Sequence, residues 1–383
     1  MARLDNKVLF FTTSPRTPAK MIPEIRLLHE QFEGQIWKGK QGVQAQFAEA
    51  LSNADFFKGS TSKRESEFSA RDRITRAPKA LGFVDLSPQI ALTEAGKNFI
   101  YGKRPQEVYL RQLLKFQLPS PYHKENKNII GTFYVRPYLE IMRLIRELEY
   151  ITFDELKIFA LQLTDYRKFD GIKADILAFR VDKVSRKGDY RRFVNEIWTE
   201  SILNIHKDRI SAGKIKTRES EEATLKNFVK TQRGNLRDYA DACFRYLRYT
   251  GLVSIAHRNR TITLFPDKLQ EVDFILSTVE RNPVFVDDEV AYKEHLFSAT
   301  QPALYVDVKD NIIDTLMRVS TYTKRELSGK TIDELKDLRD DSVRERREAV
   351  ITAQVEEIKS YSLYSEIMDT YNEIILTIYL TLR

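Results

Sequence analysis

Between residues 235 and 260 the chain sets Asn235, Arg237, Arg245, Arg248, Arg258 and Arg260 around two carboxylates, Asp238 and Asp241. A guanidinium is a planar fork of N–H donors that meets a guanine edge with two bonds, and an amide does the same for adenine. A carboxylate among arginines can orient them or accept from cytosine. It can equally be half of an intrahelical ion pair, worth a few tenths of a kcal/mol. Both readings stand on the residues alone. A second group lies nearer the N-terminus: Ser14 and Arg16, then Trp37, Lys38, Gly39 and Lys40, then Ser69, Arg71 and Arg73 around Asp72. Hydroxyls, ammonium groups and open glycine backbone suit phosphates, whereas arginines suit base edges. The two groups form one candidate DNA-binding set.

The elements that must position them repeat. Stepped at about 100° per residue, Leu236, Tyr239, Ala240, Cys243, Phe244 and Leu247 fall on one side of a helix, with Arg237, Asp238, Asp241, Arg245 and Arg248 on the other. Asn235 is placed at its start and Gly251 stops it. Residues 253–255 and 261–264 then read as a two-stranded ribbon with a basic tip at 257–260. An arginine-rich helix followed by a basic-tipped hairpin is the winged form of helix-turn-helix; the alternative is an ordinary solvated helix and hairpin. The same order occurs at 69–93, where Pro78 shortens the helix, Gly82 ends it, and 83–86 and 89–92 make the ribbon around Ser87 and Pro88. The fold class is therefore mainly α with small β ribbons, two winged-helix-like subdomains followed by a helical linker.

Other helices are expected over 20–31, 42–51, 94–101, 105–116, 135–148, 153–163, 170–180 and 191–205, with Thr93 and Thr152 as N-caps. Residues 119–131 read as a loop and 211–218 as a surface connection. Beyond 285 the texture changes to charge-laced helices over 309–317 and 331–364, ending in an apolar run at 374–382 that needs a surface to cover it. The divisions are 1–150 and 151–285 for the two DNA-recognition subdomains and 286–383 for the linker.

Charge follows the same division. Residues 1–150 hold 24 Lys and Arg against 16 Asp and Glu, residues 151–285 hold 25 against 19, and residues 286–383 hold 13 against 20. A basic front and an acidic tail suit a polyanion partner bound by the front. Across 383 residues, 42% apolar and 31% charged describe a soluble chain of two or three domains. No apolar run approaches the roughly 18 residues of a membrane span, and no signal peptide is present, so a membrane partner is not expected. The one cysteine, Cys243, excludes disulfides and cysteine zinc sites and suits a reducing cytoplasm.

Enzymatic motifs are weak. Residues 34–40 have the spacing of a phosphate-binding loop, but Gln41 replaces the magnesium-binding hydroxyl. Histidines 29, 123, 206, 257 and 295 lack metal-ligand spacing. Three Glu-x-Lys triplets, Glu155 with Lys157, Glu334 with Lys336 and Glu357 with Lys359, could serve a magnesium nuclease, yet each fits ordinary helix-surface composition. No catalytic or metal-ligating residue is assigned.

Six segments in fixed order carry a family resemblance: TTSPRTPAK at 12–20, FEGQIWKGKQG at 32–42, EFSARDR at 67–73, LTEAGK at 92–97, RPQEVYLRQLLKFQLPS at 104–120 and RDYADACFRYLRYTGL at 237–252. The chain resembles the DNA-recognition part of AlwI/BstNBI-like type IIS restriction and nicking endonucleases. That resemblance implies a bacterial cytoplasmic protein that binds a short asymmetric duplex site as a monomer. It implies two winged-helix-like subdomains and a helical linker toward a separate nuclease domain or subunit, absent here, which would hold the magnesium. The chain itself is expected to need no cofactor. Two other readings stay open: a non-enzymatic winged-helix regulator or replication initiator, dimeric on a palindromic site, and a complete nuclease with an unrecognised active site.

Overall fold

The computed structural model of the chain describes residues 2–4, 7–15, 17–39, 42–57, 70–186, 189–217, 222–256 and 260–360. They form two compact units, Met1–Leu304 and Tyr305–Arg383.

The first unit opens with strand β1 (Ala2–Leu4) and helix α1 (Met21–Phe32), which buries Met21, Ile25, Leu28 and Phe32 at helical spacing. The chain turns at Gly34, whose φ of 76° is left-handed. The Gly34 N–H donates to the Ile90 carbonyl at 2.8 Å, and the Ile90 N–H donates back to Gln35 at 2.8 Å. Helix α2 (Gln44–Ser52) follows, then α3 (70–75) and α4 (Ala77–Ala80), separated at Arg76 with Pro78 in the first turn of α4. Gly82 at φ 73° leads into a hairpin of β2 (Val84–Asp85) and β3 (Ala91–Leu92).

Helix α5 (Glu94–Tyr101) starts where Thr93 accepts the Gly96 N–H at 2.9 Å, as its sequence indicates. Gly96 has a different task from flexibility. A Cβ there would fall onto the Phe83 carbonyl oxygen and lie 2.7 Å from Leu92 Cδ1. Gly96→Ala is expected to destabilise the first unit by about 1–3 kcal/mol; an unchanged denaturation midpoint would show that the hairpin and α5 can separate freely.

Helix α6 (Pro105–Lys115) leads to β4 (His123–Glu125), which pairs in parallel with β1 inside the segment expected to be loop. Three polar residues with no apolar alternation give no strand signal, and the partner is distant in sequence. Then the first pattern recurs. Helix α7 (Pro137–Leu148) precedes β5 (Tyr150–Thr152), a strand the sequence did not reveal, and α8 (Phe153–Ile158), capped by Thr152 and Glu155. After α9 (Phe169–Ser185), α10 (Tyr190–Ile205) and α11 (Lys207–Ser211) comes the 25-residue α12 (Leu225–Tyr249), then β6 (Val253–Ala256) and β7 (Thr261–Leu264). The sheet order is β5-β7-β6, so the strand before α8 pairs with the last strand, as residues 34–35 pair with Ile90 in the earlier copy.

The segment 7–15 ties both copies together. Leu9 N–H donates to Leu161, Ala77 N–H to the Ser14 carbonyl, and the Tyr246 hydroxyl to the Pro15 carbonyl at 3.0 Å. The stretch 281–302, containing α14 (Glu289–Phe297), is held by polar groups of 111–117 that the interior would otherwise not admit. Arg111 donates to Pro302, Gln112 to Leu296, Gln117 to Val284, and the buried Lys115 ammonium to the carbonyls of His295, Leu296 and Ser298. Three of those carbonyls close the C-terminal end of α14, where positive charge is favoured. Before it, α13 (Leu269–Thr278) buries Val272 and Ile275.

In the second unit, α15 (Lys309–Val319), α16 (Lys324–Ser328) and α17 (Ile332–Ser360) follow a turn at 305–307. Ile312, Ile313, Leu316, Leu327 and Leu335 form its core, and Lys336 pairs with Asp307 at 2.8 Å. The apolar run 374–382 lies outside the described residues. Among those described, no helix is long and apolar enough to cross a membrane.

Burial also sets the acid response of the first unit. It pushes the rings of His123, His206 and His295 down to about 4, against about 6.5 in an unfolded chain. These rings are neutral in the fold, so the stability they contribute is complete above pH 6.5 and is lost as pH falls toward 4. Glu24, which burial raises to about 7 against the pull of Arg73, works in the opposite sense and offsets one of the three protons. The unfolding free energy from denaturant titrations is expected to fall steeply between pH 6.5 and 4, by about 3 kcal/mol per unit at the steepest; a level profile would overturn this.

Candidate nucleic-acid interface

On α12 the division between faces follows the sequence. Leu236, Ala240, Cys243, Phe244 and Leu247 are buried, and Arg237, Asp238, Arg245 and Arg248 are exposed. Asp241 takes Arg245 Nε on one oxygen and Arg260 Nη2 on the other, both at 2.7 Å. Arg260 comes from the hairpin. Its guanidinium lies 3.6 Å over the Phe153 ring, and its carbonyl accepts the Phe153 N–H. The tip end of the hairpin is thereby fixed to α8, and one carboxylate binds arginines from two elements.

Asn235 is not at a helix start. The helix begins nearly three turns earlier, where Thr224 caps it by accepting the Asn227 N–H, because buried Phe228 and Gln232 outweigh the cost of Gly234 within it. At 100° per residue Asn235 stands well round the helix from the arginine stripe, at a separate cleft with Lys214 and Lys216.

The earlier copy carries the corresponding arrangement. Asp72 accepts from Arg71 at 3.2 Å and from Arg76 at 2.7 Å. Arg76 also reaches the Thr13 hydroxyl at 3.4 Å. Lys38, Arg71, Arg76 and Lys79 converge on a cleft of about 330 Å³ that also touches Phe10, Thr12 and Tyr122. Burial, then the nearby Lys38 charge, pull the Lys79 ammonium below its ordinary value, and its Nζ sits 4.6 Å over the Tyr122 ring. Arg76 and Lys79 were not singled out in the sequence. The i,i+4 spacing of Asp72 and Arg76 was the available signal for one of them.

Two expectations are corrected. Trp37 is fully buried, edge-on to Phe47, and is a core residue rather than a contact. Arg73 turns inward to the buried carboxylate of Glu24 and stacks 4.8 Å over Phe57, so its charge is consumed by the fold. Lys38 and Gly39 remain exposed, Gly39 at a left-handed φ of 94°. Ser14 is half-buried with its carbonyl bound to Ala77. Arg16, Lys40, Ser69 and Arg258 lie outside the described residues.

The acidic triplets have structural work. Glu155 caps Thr152 and binds Arg180, and Glu334 caps the Thr331 N–H at 2.7 Å. The side chains of Glu357 and Lys359 are outside the described set. Among the described residues no cluster of three or more His, Cys, Asp or Glu is placed to hold a metal.

The model of the AlwI restriction endonuclease family matches residues 79–378. The chain belongs to the AlwI restriction endonuclease family. DNA is the partner that this family membership brings; the matched residues include the Asp241, Arg245 and Arg260 cluster and begin just after Arg71, Asp72 and Arg76. Among solved structures the chain is similar to the BpuJ1 endonuclease binding domain, crystallised with pyrene- and phenanthrene-modified DNA. That likeness has 13% identity and a TM-score of 0.46 over 74% of this chain and 92% of that one. Comparison with curated proteins gives no match.

Proposed function

We propose that this chain is the sequence reader of a type IIS restriction or nicking endonuclease, binding a short asymmetric duplex site as a monomer. The copy from α1 to β3 and the copy from α7 to β7 act as two winged-helix-like modules, and the part of the expected linker 286–383 that begins at Tyr305 acts as the linker. Phosphodiester cleavage belongs to a separate magnesium-dependent nuclease domain. The observation that carries this is the duplicated clasp: in each copy one helix aspartate, Asp72 or Asp241, holds two arginines at the surface. The shared order of helix, connecting segment, helix, further helix and hairpin supports the winged-helix reading: β5 pairs with the last strand β7 in the second copy, and residues 34–35 share two backbone hydrogen bonds with Ile90 beside β3 in the first.

Arg71, Arg237, Arg245 and Arg248 are the base readers in this scheme. Ser14, Arg16, Lys38, Gly39, Lys40 and Ser69 hold phosphates, and Arg258 and Arg260 touch phosphate or the minor groove. Arg237→Ala is expected to lose about 1–3 kcal/mol on the recognised duplex and relax one base pair; equal losses on matched and mismatched duplexes would end its reading role. The deciding experiment selects duplexes from a random library with the purified chain. Enrichment of one asymmetric site supports the reading, and a palindromic site or none overturns it.

A further inference from the structure

The Asn235 flank of α12 opens on a cleft of about 660 Å³ whose charged lining is Lys7, Arg209, Lys214, Lys216 and a single acid, Asp208. Asp208 pairs with Lys7 at 2.8 Å, so four cations against one anion leave an excess of three positive charges. Lys214 and Lys216 are exposed, and the rest of the wall is rich in side-chain amides and hydroxyls, all able to donate to phosphate oxygens.

Helix length says what lies there. At 1.5 Å per residue the 25 residues of α12 extend about 37 Å, against a major groove about 12 Å wide. The turns from Arg237 to Arg248, about 16 Å, are enough to occupy the groove. The preceding turn, Thr231 to Asn235, which lines the cleft on another side of the helix, would then meet the phosphate backbone. Resting on the proposed reading role of α12, we infer that this cleft grips backbone phosphates of the duplex outside the recognised base pairs. It lengthens the footprint and adds affinity without adding sequence information.

The test compares the unaltered chain with Lys214→Glu/Lys216→Glu on a duplex trimmed to the selected site and on one with about 15 flanking base pairs each side. Both lysines are exposed, so the variant folds, and a melting curve checks this. On the long duplex affinity is expected to fall at least tenfold and the log–log salt slope to shrink by about 2. On the trimmed duplex, affinity and preference for the matched site stay as in the unaltered chain. Equal losses on both lengths would place the cleft on the reading face, and no loss on either would remove it from the interface; each overturns the inference. Absence of any matched-site preference in the unaltered chain would be a separate failure, of the reading role itself.

Discussion

Exchanging both clasping aspartates, Asp72→Asn with Asp241→Asn, is expected to tighten binding to unrelated duplexes while weakening binding to the recognised site. Removing two negative charges raises the electrostatic, sequence-independent attraction. Releasing Arg71, Arg76, Arg245 and Arg260 from fixed positions costs the alignment on which bidentate base contacts depend. The ratio of matched to unrelated affinity should drop 10- to 100-fold, or about 1.4–2.8 kcal/mol. The protein should remain folded, because partly exposed ion pairs of this kind contribute only about 0.2–1 kcal/mol. Titrations on both duplexes at fixed salt decide the matter. Parallel shifts on the two would reduce the clasps to surface ion pairs.

The second large effect is on stability. Glu140 is completely buried on α7, and Arg281 meets it with two bonds, at 2.8 and 2.6 Å. The guanidinium also lies 4.8 Å over the Tyr166 ring. Arg281→Ala would strand a carboxylate without its partner and is expected to cost about 3–5 kcal/mol. Replacing both partners, Glu140→Gln with Arg281→Met, should recover most of that loss, because no charge is then left buried. Denaturant titration of the two variants separates the cases. A double variant as unstable as the single one would mean that packing, and not charge, fastens residues 281–302.

What was legible in the chain was local. Helix α5 could be read to the residue because Thr93, its cap, and the apolar spacing that follows are contiguous. Gly82 and Gly251 marked helix ends because both adopt a left-handed φ of 73°. The exposed stripe on α12 followed from periodicity alone, as did the i,i+4 ion pair of Asp241 with Arg245. Non-local choices were hidden. Strand β4 finds its partner about 120 residues away, and β5 becomes a strand only because β7 folds back onto it. Trp37 stood beside Lys38 and looked exposed, but the pocket that receives it is made by Phe47 of α2. Arg73 and Arg71 were equivalent in sequence, and only the buried Glu24 separated their fates. Asn235 was misplaced because Gly234 imitates a helix boundary.

The chain's opening residues have one more effect. Residues 9–15 are bonded to Ala77, the residue after Arg76, through Ser14 and to the arginine-bearing α12 through Pro15 and Tyr246, so the ends of both arginine clusters share a common splint. Their separation works as a ruler. Each inserted base pair moves the far half of a duplex by about 3.4 Å and turns it by about 35°. A spacing change that a flexibly joined pair of readers would tolerate must here break the splint or forfeit one reader. On the proposed reading of both clusters as base readers, the length of the recognised site would be measured by a segment that need touch no base.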